Sequence, residues 1–474
     1  MSYELVCGIE CHVELLTESK IFCSCKTSFN SEPNTQCCPV CTGQPGALPV
    51  LNREAVRLAI RAGLALNCKI NTASHMDRKN YFYPDLPKAY QISQLDEPLC
   101  TDGYIKLDSG KIIRIERIHI EEDAGKLVHE NGYTYIDYNR AGVPLIEIVS
   151  KPDITTPEEA KEYGEKLRLI MKSAGISDCK MQEGSVRFDV NLSLHKAEEP
   201  FGTRTEIKNI GSLSNIVKAM RAEAKRQEKN LESGGSVKQC TMRYDEANDC
   251  VYILRVKENS DDYRFFPEPD IPFFKISEAE LEEIKKEMPE LPDKRLERYT
   301  KKLLLPKNKA ELLIKYSGAC AYFDSAVAQG ADANNALNLI LSVVFAQLRT
   351  DSDKESFNIP LKAEEFAKLV RLNDERKLTA SKTKDTLIKL ITDGGALSDY
   401  ITDKDLAAMS DGELLALCEK AVGENPCAVS DILSGKDKAK NVLIGSVMRL
   451  SMGRADVKAA EKILAEILAK KAEK

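Results

Sequence analysis

Three short segments in the first third of the chain carry acidic and imidazole side chains at spacings suited to a shared site. Glu10 and His12 are two residues apart in GIECHVEL, so a strand places both on one face. HIEEDAGK adds Glu121 and Glu122, and Glu147 interrupts the apolar segment PLIEIV. A carboxylate within such a strand needs a counter-charge, a proton or a bound cation.

Several glutamate oxygens with one imidazole are donors that suit a hard cation such as magnesium, which in turn binds phosphate oxygens. The candidate donors for such an ion in these segments are Glu10, His12, Glu121, Glu122, Asp123 and Glu147, with His119 on the same strand face as Glu121. The alternative is that these are ordinary outward-facing strand residues, because sequence spacing alone does not bring separate strands together.

Four cysteines have the spacing of a structural zinc site. Cys23 and Cys25 are followed, after twelve residues, by Cys38 and Cys41 in the segment CPVC. Each short-spaced pair can hold one edge of a tetrahedral metal, and four thiolates leave no open position for water. The alternative is four free thiols, and the adjacent Cys37 leaves the choice of ligand open.

Cationic side chains alternate with acids in the same half of the chain, which indicates a site for metal plus polyphosphate. Lys79 lies in RKNYFYPDLPKAYQISQ, where two proline turns predict a loop, and a turn at residues 139–144 presents Arg140. The candidate phosphate ligands are Arg140, Arg187, Arg204, Lys208, Arg255 and Lys257. The alternative is a solvated sheet face paired by salt bridges.

The elements that must position these residues change character along the chain. Period-two segments such as KIIRIERIHIEED and SVRFDVNLSL dominate up to about Phe274, whereas helical patterns follow Pro292. This order predicts an α+β protein: an antiparallel-sheet domain over residues 1–292, an all-α helical domain over 293–400 and a small helical tail domain over 401–474.

Three helices are predicted with defined positions. The first begins at Pro157, with Thr156 and Glu159 forming a capping box, and a second extends from about Ser214 to Glu232. The last shows apolar residues at helical spacing, namely Ala460, Ile463, Leu464, Ile467 and Leu468.

The charge balance restricts how the chain can contact nucleic acid. With 68 Lys and Arg against 74 Asp and Glu, the net charge is −6, so any such contact must come from a local patch. From Lys436 to the end there are ten basic residues against five acidic ones. On composition alone, a solvated helix face is the favoured interpretation of this tail.

Several classes of protein are excluded by what the sequence lacks. No apolar run approaches the roughly 20 residues of a membrane span. The N-terminus has no basic signal segment and the chain contains fifteen cysteines, so we expect a cytoplasmic protein with reduced thiols. There is no Walker A loop, Rossmann fingerprint or kinase catalytic loop. Amidase serine motifs and an evident glutamine-hydrolysing cysteine are also missing, so any ammonia must come from another chain.

Eight motifs in order over the first 270 residues closely resemble the GatB family, the B subunit of aspartyl/glutamyl-tRNA amidotransferase. They are GIECHVEL, the cysteine cluster leading into GALPVLN, DRKNYFYPDLPKAYQISQ, IEEDAGK, DYNRAGVPLIEIVS, GSVRFDVNLSL, EIKNIGSL and DYRFFPEPDIP. The helical regions match more loosely, through segments such as NVLIGSVMR. Cys11 departs from the family pattern, which usually has an aliphatic residue there, and should point away from Glu10 and His12.

The resemblance implies an ATP-dependent ligase of protein biosynthesis that works as a heterotrimer with an amidase (the A subunit) and a small protein (the C subunit). The GatB chain phosphorylates the side-chain carboxylate of misacylated Glu-tRNA(Gln) or Asp-tRNA(Asn), and ammonia delivered from the amidase displaces the phosphate. The resemblance also implies a catalytic (cradle) domain similar to glutamine synthetase. The implied cofactors are ATP, Mg²⁺ and structural Zn²⁺.

Carried over by position, the resemblance assigns roles to the candidate residues. Lys79 corresponds to a lysine at the ammonia gate and catalytic pocket, and the basic tail to a module that binds tRNA. The implied magnesium and active-site residues are Glu10, His12, Glu121, Glu122 and Glu147, and the implied zinc ligands are Cys23, Cys25, Cys38 and Cys41.

Two other hypotheses fit parts of the same pattern. One is a non-catalytic, zinc-stabilised tRNA-binding module whose carboxylates are structural. The other is a free-standing ammonia ligase acting on a small acid, which would have no use for a basic tail.

Overall fold

The computed structural model describes residues 3–208, 210–256, 263–375, 377–406, 411–434, 439–451, 455 and 457–472. The chain divides into two compact units, Met1–Pro292 and Asp293–Lys474. Within the described residues, strands occur only in the first unit. The three-domain division, with its boundary after residue 400, stays a prediction.

The strands of the first unit are short apart from three long ones, β1, β7 and β11. Their bounds are β1 Tyr3–Glu14, β2 Lys69–Ile70, β3 Ala73–Ser74, β4 Asp77–Asn80, β5 Tyr90–Ser93, β6 Cys100–Lys106, β7 Ile112–Glu122, β8 Lys126–Glu130, β9 Tyr133–Asp137, β10 Pro144–Ser150, β11 Val186–Lys196, β12 Thr205–Lys208, β13 Cys240–Asp245, β14 Cys250–Val256, β15 Phe266–Pro267 and β16 Phe274–Lys275.

Nine of these strands form one sheet in the order β14-β13-β12-β11-β1-β10-β7-β6-β2. Neighbouring strands are antiparallel except β12 and β13, which are parallel. Helix Leu213–Glu232 connects β12 to β13. Such a helical crossover returns the chain to the end of the sheet at which β12 begins, so β13 runs parallel to β12. The mixed α+β class is confirmed, but the prediction of a purely antiparallel sheet is wrong at this one pair.

The two faces of the sheet have different environments. Alternation along β1 buries Ile9, Cys11 and Val13 in the apolar core and places Glu10 and His12 on the other side. Cys11 therefore points away from the candidate site, as expected. We call the side that carries Glu10 and His12 the polar face.

Helices of the first unit cover the apolar face. They are α1 Arg53–Ala65, α2 Pro157–Ser173, α3 Leu213–Glu232 and α4 Glu278–Glu287. Thr156 caps α2 by accepting a hydrogen bond from the Glu159 amide. The Glu159 carboxylate, however, accepts from the Thr155 amide and hydroxyl, so the predicted reciprocal bond of the capping box is displaced by one residue.

The second unit is helical throughout its described residues. Its helices are α5 Pro292–Glu297, which begins at the unit boundary, a π-helix at Arg298–Lys302, α6 Lys307–Leu313, α7 Ser317–Ala328, α8 Ala333–Leu339, a π-helix at Ile340–Val344, α9 Phe345–Gln347, α10 Asp351–Ser356, α11 Ala363–Asp374, α12 Ala380–Asp393, a 3₁₀ turn at Leu397–Asp399, α13 Asp403–Leu406, α14 Asp411–Glu424, α15 Pro426–Leu433, α16 Lys440–Leu450 and α17 Val457–Ala472.

The apolar face predicted for the final helix is confirmed. Ala460, Leu464 and Leu468 of α17 are buried, and Ile463 and Ile467 pack at the edge of the same cluster. None of the helices described is both long enough and apolar enough to cross a membrane.

Gly103 allows the sheet edge to approach the segment after α1. A Cβ at residue 103 would lie 2.7 Å from the carbonyl oxygen of Leu66. This oxygen accepts a hydrogen bond of 2.8 Å from the Tyr104 amide. Because a backbone atom cannot rotate away, Gly103→Ala should lower the free energy of unfolding of this unit by about 1–3 kcal/mol.

Urea unfolding followed by circular dichroism measures this effect. Gly211→Ala is the matched control, because nothing lies within 4 Å of its added Cβ. The control should stay within about 0.5 kcal/mol of the wild type. Equal stability of both variants would contradict the close approach.

Candidate active site

A row of ionisable side chains crosses four neighbouring strands on the polar face. In the strand register, His119 of β7 is opposite Glu147 of β10, Glu147 is opposite His12 of β1, and His12 is opposite Arg187 of β11. Directly paired residues on one face have their Cβ atoms about 5 Å apart, so the register forces these side chains together. The row assembles from four segments distant in sequence.

The centre of this row is a group of possible metal donors. His12, Glu121 and Glu147 each offer a ligand atom, and these atoms lie within 4.8 Å of one another. His12 Nε2 is 3.9 Å from Glu121 Oε1 and 3.7 Å from Glu147 Oε2, which is longer than a hydrogen bond. The three donor atoms are therefore close enough together to serve as ligands of one ion.

The second imidazole, His119, is tied to the same acids. Its Nε2 lies 3.2 Å from Glu147 Oε2 and 3.8 Å from Glu121 Oε2. Burial opposes the charged imidazole, but the Glu147 and Glu121 carboxylates outweigh burial and raise the pKa of His119 to about 9. Burial also favours a neutral Glu147, yet His119, His12 and Lys79 together hold the pKa of Glu147 well below its usual range.

Glu10 belongs to a neighbouring acidic group on the polar face. Its carboxylate lies with those of Asp189 and Glu206, all three within 4.8 Å, and Lys208 pairs with Asp189 at 3.1 Å and with Glu206 at 3.0 Å. Burial raises the pKa of Glu10, and the negative charges of Glu147 and Glu206 raise it further. This group contains three acids and one cation, and its three carboxylates are close enough together to be ligands of one ion.

Glu122 does not join either group. Successive strand residues point to opposite faces, so Glu122 points away from its neighbour Glu121. The Glu122 carboxylate contacts Lys88 Nζ at 2.5 Å and accepts a hydrogen bond from the Ile92 amide at 2.8 Å. The expectation that Glu122 shares a site with Glu121 is corrected by this alternation.

Lys79 lies on strand β4, so the prediction of a loop is wrong at Lys79, although residues 81–89, with both proline turns, do form a loop. Strand β4 forms a hairpin with β5, in which Lys79 is opposite Gln91 and the proline turns lie in the connecting loop. Strand β15 pairs with β4 at Asp77 and Arg78. The Lys79 ammonium lies over the ring of Tyr263, 5.0 Å from its centre, and its charge acts on Glu147. Among the described residues, no carboxylate forms an ion pair with Lys79.

The candidate phosphate ligands differ in their surroundings. Arg187 is paired with buried Asp123 at 2.8 Å, and Arg140 donates to the carbonyl oxygens of Ala124 and Gly125. Arg204 precedes β12 and is exposed. Arg255 lies on β14, with its side chain outside the described part of the structure, and Lys257 lies outside the described residues.

The sequence places His119 on the face of Glu121 and Asp189 and Glu206 on polar strand faces, but none of the three was included among the predicted magnesium ligands. All three follow from strand alternation, because His119 shares a face with Glu121, and Asp189 shares one with Arg187. Glu206 lies between Arg204 and Lys208 in the next strand segment. The missing information was the register, which only long-range pairing supplies.

The four predicted cysteines converge around a possible metal position. Their sulfur atoms lie within 4.8 Å of one another, and the sulfurs of Cys38 and Cys41 are 3.9 Å apart. A tetrahedral ion with sulfur ligands at about 2.3 Å requires sulfur–sulfur distances of about 3.8 Å. Hydrogen bonds within the cluster, chiefly with Cys23, lower the pKa of Cys41 to about 4.

Comparison with known proteins places this architecture in a family. The model of the GatB/GatE catalytic domain matches residues 5–282, and the model of the GatB domain matches residues 321–468. The chain belongs to the GatB family. The catalytic-domain match includes all strands of the nine-stranded sheet and the cysteine cluster.

Individual GatB relatives align with nearly the whole chain. The B subunit of aspartyl/glutamyl-tRNA(Asn/Gln) amidotransferase from Caldicellulosiruptor saccharolyticus is 46% identical over 480 residues, covering 99% of this chain and 100% of the relative. The protein of the same name from Ruminiclostridium cellulolyticum is 46% identical over 471 residues, covering 98% and 97%. That of Bacillus licheniformis is 46% identical over 477 residues, covering 99% and 100%.

The sulfur geometry predicts that the purified GatB chain binds one zinc ion. Cys41→Ser should lose most of this zinc, because a hydroxyl is a poor substitute for a thiolate. Cys37→Ser is the matched control, since Cys37 lies beside the cluster, with its thiol 3.8 Å from Asn139 Oδ1, but is not one of the four cysteines whose sulfurs converge. Elemental analysis of both variants gives the zinc content per chain. Retention of full zinc by Cys41→Ser would show that these cysteines do not hold the metal.

Proposed function

We propose that this chain activates and amidates the side-chain carboxylate of an amino acid esterified to tRNA. The substrate is Glu-tRNA(Gln), Asp-tRNA(Asn) or both, and ATP supplies the phosphate that ammonia later displaces. The name of the relatives, as the B subunit of aspartyl/glutamyl-tRNA(Asn/Gln) amidotransferase, supports this reaction. The convergence of the donors His12, Glu121 and Glu147 on the polar face is the structural observation that carries the proposal.

Amidation of a carboxylate requires both a phosphate donor and a cation at the site. A carboxylate is a poor acyl donor, and its phosphorylation supplies a good leaving group. When bound, Mg²⁺ supplies positive charge that neutralises phosphate oxygens. The residues that would hold it are His12, Glu121 and Glu147, with Glu10, Asp189 and Glu206 as the second donor group.

Residues of the chain itself bind and orient the reacting groups in this proposal. Lys79 presents an ammonium whose charge acts on Glu147, and this ammonium can bind the substrate carboxylate or a phosphate oxygen. His119 fixes Glu147 through a contact of 3.2 Å, so the acid keeps its position on the sheet. Arg187 extends the row next to His12 and supplies further positive charge.

A purely structural role for these acids explains the arrangement less well. Buried carboxylates that face one another destabilise a fold unless a cation compensates their charge. Glu10 has Asp189 and Glu206 as neighbours, with Lys208 as a shared partner. A site that binds cation and polyphosphate accounts for this excess of acid, whereas a tRNA-binding module without catalysis does not.

Partners and location follow from the same proposal. The designation of the relatives as one lettered subunit implies an enzyme of several subunits. We assign the ammonia supply to an amidase (the A subunit), the third position to a small protein (the C subunit), and the complex to the cytoplasm. The first unit serves as the cradle-type catalytic domain, similar to glutamine synthetase, and the cysteine cluster holds structural zinc.

The role of Glu147 can be tested with Glu147→Gln in the reconstituted complex. The amide keeps the shape of the side chain but loses its charge, so tRNA-dependent ATP hydrolysis and amidation should fall by about 100-fold or more. Glutaminase activity should remain, because the amidase performs it. Labelled ATP and Glu-tRNA(Gln) provide the assay.

Glu130→Gln is the control for that variant, since Glu130 is an exposed residue at the end of β8. It should keep wild-type rates. Full amidation by Glu147→Gln would overturn the assignment of the active site to the polar face.

The basic tail is proposed to bind tRNA. Charge reversal by Lys462→Glu with Lys470→Glu should raise the KM for Glu-tRNA(Gln) by about tenfold and reduce its salt dependence, because phosphate contacts dominate such binding. The KM for ATP should not change. Lys384→Glu with Lys389→Glu, on α12, is the charge-matched control, and an equal effect of both pairs would refute a specific role of the tail.

A further inference from the structure

Lys20 is a buried cation that the proposed reaction does not use. Its side chain is completely buried, at 0% exposure, although it carries an ammonium group. Among the described residues, no carboxylate forms an ion pair with it. A buried ammonium is strongly destabilising unless an anion or several hydrogen-bond acceptors compensate its charge.

The partners of Lys20 connect two parts of the first unit. Its Nζ lies 3.6 Å from the sulfur of Cys41 and donates a hydrogen bond of 3.1 Å to the carbonyl oxygen of Tyr138. The anion that compensates Lys20 must therefore come from the cysteine cluster. A divalent ion held by four thiolates leaves that cluster with a net negative charge, so the ammonium and the metal centre compensate each other.

The Tyr138 carbonyl belongs to the turn that leads into β10. The same oxygen accepts a hydrogen bond from the Ala141 amide at 3.1 Å, which closes the turn. Within this turn, Arg140 donates to the carbonyl oxygens of Ala124 and Gly125, directly after β7. The turn thus joins the ends of the two strands that carry Glu121 and Glu147.

We propose that Lys20 is a positioning residue that compensates the charge of the cysteine-bound metal and couples this metal centre to the turn at residues 138–142. The inference rests on the proposed zinc centre and goes beyond it. Lys20 binds no substrate in this account. Its ammonium lies against the Cys41 sulfur on one side and donates a hydrogen bond to the Tyr138 carbonyl on the other.

Zinc affinity of the full chain, measured by competition with a chromophoric chelator, tests the proposal. Lys20→Met keeps the length of the side chain but removes its charge, and it should bind zinc about 10-fold to 100-fold more weakly. Lys26→Met is the matched control, because Lys26 is exposed and directly follows Cys25. The control should bind zinc as tightly as the wild type.

A second readout separates this role from a purely structural one. Zinc raises the melting temperature of a protein that binds it only when folded. A structural role would lower the melting temperature of Lys20→Met equally with and without zinc. The proposal instead predicts a smaller zinc-induced rise in Lys20→Met than in the wild type.

The wild-type chain provides a test that does not depend on the folding of a variant. Removal of zinc by a chelator should accelerate hydrogen exchange of the Ala141 amide, because the turn loses its anchor, while the centre of β11 stays protected. Unchanged exchange at Ala141 would overturn the coupling.

The results separate a failure of the proposed role of Lys20 from a failure of the proposed metal centre. Equal zinc affinities of Lys20→Met and the wild type would overturn the role of Lys20 alone. A wild-type chain that binds no zinc would overturn the metal centre and the role of Lys20 together.

Discussion

The alternation of side chains across one long sheet is the constraint on which the rest of this structure depends. Every second residue of β1 enters an apolar core, so the residues between them must share the other face. Four neighbouring strands each contribute one ionisable residue to the row, namely His119, Glu147, His12 and Arg187. A register slip of one residue would move these groups into the core. The packing of the apolar residues therefore determines which ionisable groups meet on the polar face.

Burial gives this row its chemical properties. Exposed acids would repel one another weakly, whereas here the imidazole of His119 and the carboxylate of Glu147 fix each other's charge. Neighbouring Glu10, Asp189 and Glu206 leave an excess of negative charge on the same face. The cysteine cluster is a second, separate group of possible metal ligands, made of sulfur and built from loops outside the sheet. Hard and soft donor sets are therefore segregated within one unit.

The sequence predicted the parts that depend on local pattern. Period-two segments predicted β1, β7 and β11, and cysteine spacing predicted the convergence of Cys23 and Cys25 with Cys38 and Cys41. It could not predict what depends on long-range pairing. The register that brings His119, Glu147 and His12 together joins separate segments of the chain, whereas Lys79 lies on a strand because of its hairpin with β5. Glu122, adjacent to Glu121, points to Lys88 on the other side, and the connection through α3 makes one strand pair parallel.

The central claim is that acids from separate strands bind a divalent cation on the polar face. Anomalous diffraction from crystals of the protein soaked in Mn²⁺, a substitute for Mg²⁺, tests it directly. The account predicts a peak bounded by His12, Glu121 and Glu147 or by Glu10, Asp189 and Glu206. Mn²⁺ peaks found only elsewhere, with both acid groups contacting protein side chains alone, would contradict it.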